Sequence, residues 1–119
     1  MNRRAGLALL VLTIVTVPAF GHARLLSSSP AANAELAEAP KVLTLQFSEA
    51  AQLAVLKLSA AGVAIPLDID RGAKAAVRVA IALPALQPGV YQVEWTALAA
   101  DDGHVTRGTF SFSVAGAPR

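Results

Sequence analysis

Residues 86–97 read LQPGVYQVEWTA, and this stretch decides the fold. Leu86-Gln87-Pro88-Gly89 is a turn signal, because proline presets φ and glycine accepts the backbone angles that close a reversal. Beyond it Tyr91, Val93 and Trp95 alternate with Gln92, Glu94 and Thr96. A period of two puts the three large apolar rings and branches on one face, so the segment is a strand with one buried side and one wet side. After the first stretch of the chain no 3.6-residue periodicity of useful length exists, which predicts an all-β domain.

The rest of the chain repeats the pattern. Lys41 to Ser48 alternates Leu43, Leu45 and Phe47 with Thr44, Gln46 and Ser48; Leu53 to Ser59 turns Leu56 and Leu58 inward and Lys57 outward, and Ala61-Gly62 reverses the chain. Val63 to Asp70 contains Pro66, which cannot donate to a ladder and marks an edge, with Asp68 and Asp70 toward solvent. Ala75 to Leu83 is apolar at Val77, Val79, Ile81 and Leu83 and ends at Pro84; Gly108 to Val114 buries Phe110, Phe112 and Val114. Ala23 to Ser28 is a first short strand, stopped by Ser29-Pro30. The alanine-rich run Ala31 to Ala39 forms at most a helical turn. The Leu-x-Pro-Gly-x-Tyr approach resembles the tyrosine corner of immunoglobulin-like domains, in which the hydroxyl bonds to upstream backbone. About seven strands in about 100 residues is the size of an immunoglobulin-like β-sandwich or small barrel.

The chain opens with a basic pair, Arg3-Arg4, then an apolar run from Ala5 to Val17, then Pro18-Ala19-Phe20-Gly21. This is the pattern of a secretory signal peptide cut after Gly21, and the run is shorter than the roughly 20 residues that cross a bilayer. Arg3-Arg4 alone is weak evidence for twin-arginine export. The division is therefore 1–21 signal and 22–119 exported domain, which places the domain outside the cytoplasm. Of the chain's 10 Lys and Arg and 8 Asp and Glu, the signal takes two arginines, so the exported domain is formally neutral. A neutral domain without a basic stripe or interleaved aromatics argues against nucleic acid as a partner. There is no cysteine, and the one methionine is Met1. Thiolate and thioether ligands, which select copper(I), are thus missing, and any metal site must be built from nitrogen and oxygen.

Only two histidines occur, His22 and His104. Cleavage after Gly21 makes His22 the first residue, with an α-amine and an imidazole able to chelate one ion. His104 closes Asp101-Asp102-Gly103-His104. Residues at i and i+2 of an extended backbone project to one side, and Gly103 lets the loop bend, so Asp102 and His104 can aim at one ion. His22, Asp102 and His104 together offer three nitrogens and one oxygen, a donor set that suits tetragonal copper(II), with zinc as the competitor on ligand type. Asp101 is the alternative carboxylate, and Glu49 is a candidate outer ligand or an acceptor of a hydrogen bond from one of the ligands. The α-amine must lose its proton to coordinate, and with an ordinary pKa of about 7.7–8.0 this predicts weaker binding as pH falls. Tyr91, Trp95, Phe110 and Phe112 read as core, and Arg107 as a solvated charge.

These residues bear a resemblance to the CopC family of periplasmic copper-resistance proteins. The matching features are His22-Ala23 after the signal, Leu26 to Pro30, Leu45-Gln46-Phe47-Ser48-Glu49, Pro88-Gly89-x-Tyr91-x-Val93-x-Trp95, and Asp102-Gly103-His104 leading to Gly108 and Phe112-Ser113-Val114. The resemblance covers nearly all of residues 22–119. It implies an immunoglobulin-like Greek-key sandwich and a copper(II) site made by the amine and imidazole of His22 with Asp102 and His104, and Glu49 matches a glutamate near that site. It also implies a membrane copper-uptake partner related to CopD. The methionine-rich copper(I) site of some members has no counterpart here, and the loop before Asp102 is one residue longer than in some relatives.

The expectation is a monomeric, non-catalytic protein that carries or sequesters copper, since no activated nucleophile is evident although Thr106 and Thr109 lie near His104 in sequence. Two rival classes remain. A copper-dependent oxidative enzyme also uses an N-terminal histidine with a second histidine, but needs a sugar-gripping aromatic surface. A metal-free immunoglobulin-like interaction module needs neither histidine.

Overall fold

The computed structural model describes residues 23–70 and 72–116. His22 and the proposed signal segment lie outside the described residues. Seven strands follow in order: β1 (Leu25–Ser29), β2 (Glu35–Leu36), β3 (Val42–Ala60), β4 (Val63–Ile65), β5 (Ala76–Ala82), β6 (Gly89–Ala99) and β7 (Val105–Val114). Among the described residues there is no helix. The strand order is β1-β3-β6-β7-β2, with β4 and β5 also paired to β3. Every pairing is antiparallel except β2 with β7.

The long third strand organises the rest. Its first half lies between β1 and β5, through Leu45↔Ser28 and Leu45↔Val79, and its second half pairs β6 and β4, through Leu58↔Val93 and Leu58↔Ile65. One strand therefore joins both parts of the sheet and curls it around the core. The two expected strands 41–48 and 53–59 are the halves of this element. Glu49-Ala50-Ala51-Gln52 contains no proline or glycine to stop it, and register shifts beside Ala51 and between Leu53 and Val55 supply the bend.

Alternation holds where expected. Leu43, Leu45, Phe47, Leu58, Val93, Trp95 and Phe112 are buried, and no polar or charged residue is buried among the described residues. Phe47 meets Trp95 edge-on, with ring centroids 5.5 Å apart. Gly108 lies opposite Trp95 in register, and a Cβ there would come within 3.0 Å of the indole. The Tyr91 hydroxyl donates to the carbonyl of Gln87, and its ring stacks on Phe112. The tyrosine corner is thus present.

Two expectations need correction, and one segment takes a form that its pattern left open. Val63 to Asp70 is a strand only as far as Ile65, because Pro66 has no N–H to extend the pairing with β3. Ala31 to Ala39 contains no helical turn; Asn33 adopts φ 66° and delivers Glu35 and Leu36 alongside Ser113 and Val114 as β2. In β5 only Ile81 is buried, Val79 is half-buried and Val77 is exposed, because β5 pairs with the first half of β3 alone at the margin of the core.

Candidate functional site

One end of the barrel gathers four segments of chain. Here β6 runs out at Ala99, and the loop to β7 is tied down at both ends: the Gly103 N–H donates to the Ala99 carbonyl at 2.9 Å, and the Ala99 N–H to the His104 carbonyl at 2.9 Å. Gly103 adopts φ 72°, the left-handed conformation that the loop requires there. The Ala100 N–H donates to the Ala50 carbonyl at 3.0 Å, which fixes this loop to the crossing segment of β3.

Within the loop Asp102 and His104 are brought together. The His104 backbone N–H donates to Asp102 Oδ1 at 2.9 Å, an Asx-type closure that orients the carboxylate. Asp102 Oδ2 then stands 3.9 Å from His104 Nδ1, and about half of each side chain is open to solvent. Two donors each about 2 Å from a common ion span at most about 4 Å, so the pair reaches one metal as it stands only with the donors nearly opposite each other, and a side-by-side arrangement needs them to close to about 2.8 Å. Asp101 is exposed in the same turn, but it is Asp102 that faces the imidazole.

The first described residues are fastened to this loop. The Thr106 hydroxyl donates to the carbonyl of Ala23 at 2.8 Å, across 83 positions of sequence. Ala23 itself is fully buried. The next residue is clamped to β3: the Arg24 N–H donates to Ser48 Oγ at 2.9 Å, and the Ser48 N–H returns to the Arg24 carbonyl at 2.8 Å. Glu49, half-buried, follows Ser48, so it lies on the segment that holds the amino-terminal strand in place. Sequence reading did not find Thr106 or Ser48 as positioning residues. Ser48 and Thr106 carry a visible signal, a hydroxyl beside a candidate ligand, but their partners are backbone atoms far away in sequence. Among the described residues no group of three or more potential ligands is assembled; Asp102 and His104 are two, and His22 lies outside.

The fold and this paired carboxylate and imidazole define a class: small Greek-key β-barrels with an oxygen and nitrogen cluster at one open end. The chain belongs to the CopC family, whose domain model matches residues 25–115. It is 34% identical to protein YobA of Escherichia coli strain K12, over 93% of each chain. Its structure is similar to the crystal structure of CopC from Methylosinus trichosporium OB3b, at TM-score 0.68 and 24% identity, covering 82% of this chain and 98% of that one. It also resembles PcoC, a methionine-rich copper resistance protein from Escherichia coli, at TM-score 0.64 and 29% identity over 78% of this chain and 98% of that one. This chain does not share the methionine-rich character, having Met1 alone.

Proposed function

We propose that the protein is a non-catalytic periplasmic copper(II) carrier or sequestering protein, cleaved after Gly21, whose cargo ion is held by the amine and imidazole of His22, by Asp102 and by His104. The observation that carries this reading is the Thr106–Ala23 hydrogen bond, which brings the residue following His22 to within two positions of His104. Nitrogen and carboxylate donors match copper(II), and kinship with CopC and PcoC supports copper over zinc. Glu49 stands as an outer ligand or acceptor and Asp101 as a reserve carboxylate. A CopD-like membrane transporter is the proposed recipient or donor of the ion, and the carrier acts as a monomer.

The non-catalytic reading rests on the hydroxyls. The Thr106 hydroxyl is committed to a backbone carbonyl, and Thr109 stands on the exposed side of β7, so neither is poised against His104 as an activated nucleophile.

Intact mass of the exported protein, before and after copper(II) exposure, tests the site directly. The expected result is a chain beginning at His22 that takes up one copper ion. Outer-sphere partners alone are typically worth 10–100-fold in metal affinity, so His22→Ala and His104→Ala are each expected to lower copper(II) affinity by more than about a hundredfold. A different first residue, or either variant binding as the native chain does, overturns the assignment.

A further inference from the structure

Among the described residues β7 is open along half of one side. Its even-numbered residues bond to β6, while odd-numbered ones turn away: the Ser111 carbonyl accepts from the Asn33 N–H at 2.6 Å, and the Ser113 N–H donates to the Ala34 carbonyl at 2.9 Å. The pairing with β6 runs without a register shift to Val105, so Val105, Arg107 and Thr109 turn their N–H and C=O groups to the same outer side. Among the described residues no strand pairs with β7 there. Beside this edge lies a groove of about 450 Å³ between β1 and β7, floored by Trp95, Gly108 and Phe110 and rimmed by Leu25 and by Leu26, which is 57% exposed. The Thr106–Ala23 bond closes one end and the Asn33–Ser111 bond the other.

We propose that this edge and groove dock an extended peptide segment of a partner protein, with apolar residues at alternate positions and a carboxylate between them. An added strand takes its affinity from backbone hydrogen bonds and its specificity from alternate side chains. Here one face of that strand meets Trp95 and Phe110, and the other meets the exposed side chain of Arg107. Among the described residues no acidic side chain lines the groove; on the outer face of β6 Glu94 stands opposite Thr109 and shares a shallow recess with Arg107. A second copy of this chain is excluded in two registers. Two-fold pairing centred on Arg107 sets like charges opposite each other, and pairing centred on Thr109 needs the Ser111 carbonyl that Asn33 already uses. The docked strand ends at Thr106, two residues from His104, so a partner seated there is positioned beside the candidate metal loop.

The test uses the metal-free protein, so its outcome is independent of the copper reading. The probes are the capped pentapeptide Thr-Val-Glu-Val-Thr and its Thr-Val-Lys-Val-Thr counterpart, titrated while backbone amide shifts and hydrogen exchange are followed. The expected result is saturable shifts and slowed exchange at Arg107 and Thr109, with the glutamate peptide about fivefold the tighter. Arg107→Glu reverses that preference, and Thr109→Pro, which deletes an outward N–H that β6 does not use, weakens both peptides. Absence of saturable shifts at millimolar glutamate peptide overturns the proposal, as does equal binding of the two peptides. Slowed exchange of this edge on raising protein concentration alone assigns it to a second copy and overturns it too.

Discussion

The two ends of the barrel use the same device for opposite purposes. At the Gln87 end a side-chain hydroxyl is bonded back to its own chain, and the ring beneath it is buried against Phe112. At the His104 end a backbone N–H orients a carboxylate, but that carboxylate and the imidazole beside it stay about half exposed. Hydrogen bonding at the first end completes a core; at the second it holds polar groups outward in fixed positions. A domain without disulfides draws its stability from packing, so the cost of substitution differs sharply between the ends.

The largest effect belongs to the closed end. Phe112→Ala removes a side chain only 2% exposed and the partner of the Tyr91 ring. A loss of about 3–5 kcal/mol is expected, measured by denaturant unfolding, from lost burial and the cavity left behind. For a small domain this approaches the whole stability. A loss below about 1 kcal/mol would show that the Gln87 end is not where stability is concentrated, and the contrast would fail.

A smaller effect follows from the corner itself. Tyr91→Phe keeps the ring and its stacking but removes the hydroxyl that reaches Gln87. The expected loss is about 1 kcal/mol, since the Gln87 carbonyl is only partly buried and can be met by water. Unchanged stability would make the corner a consequence of strand packing and no contributor to it.

Sequence made much of the closed end visible and little of the open one. The Tyr91, Val93 and Trp95 alternation, the turn before it and the inward Leu43, Leu45 and Phe47 follow from residue period alone. The continuity of β3 does not, because Ala50 and Ala51 favour neither face and Glu49 and Gln52 suggest a solvated loop. The two-residue strand β2 was hidden because it depends on Asn33 in a positive-φ conformation and on a parallel partner about 80 positions away. At the open end Asp102, Gly103 and His104 are local in sequence, so their proximity could be read directly. What joins them to Ala23 is a threonine hydroxyl meeting a backbone carbonyl, an interaction with no periodicity and no side-chain signature at its acceptor.

That bond gives the smallest change in stability and the sharpest test of the open end. Thr106→Val keeps a β-branched side chain of similar shape in a strand while deleting the donor to Ala23. The acceptor is buried in the native fold, but with His22 as the proposed first residue it lies one position from the amino terminus, where a segment can open locally without unfolding the core. Global stability is therefore expected to fall by less than about 1 kcal/mol in denaturant unfolding, whereas the amino-terminal segment gains freedom. If His22 and His104 hold one ion, that freedom must be lost again on binding, and copper(II) affinity is expected to fall by about tenfold or more, as for other residues that orient metal ligands. The lone tryptophan, Trp95, provides an internal fluorescence probe for both titrations. Native affinity in a variant whose terminal segment exchanges faster would mean that the start of the domain does not contribute to the metal site, leaving Asp102 and His104 as an ordinary polar turn.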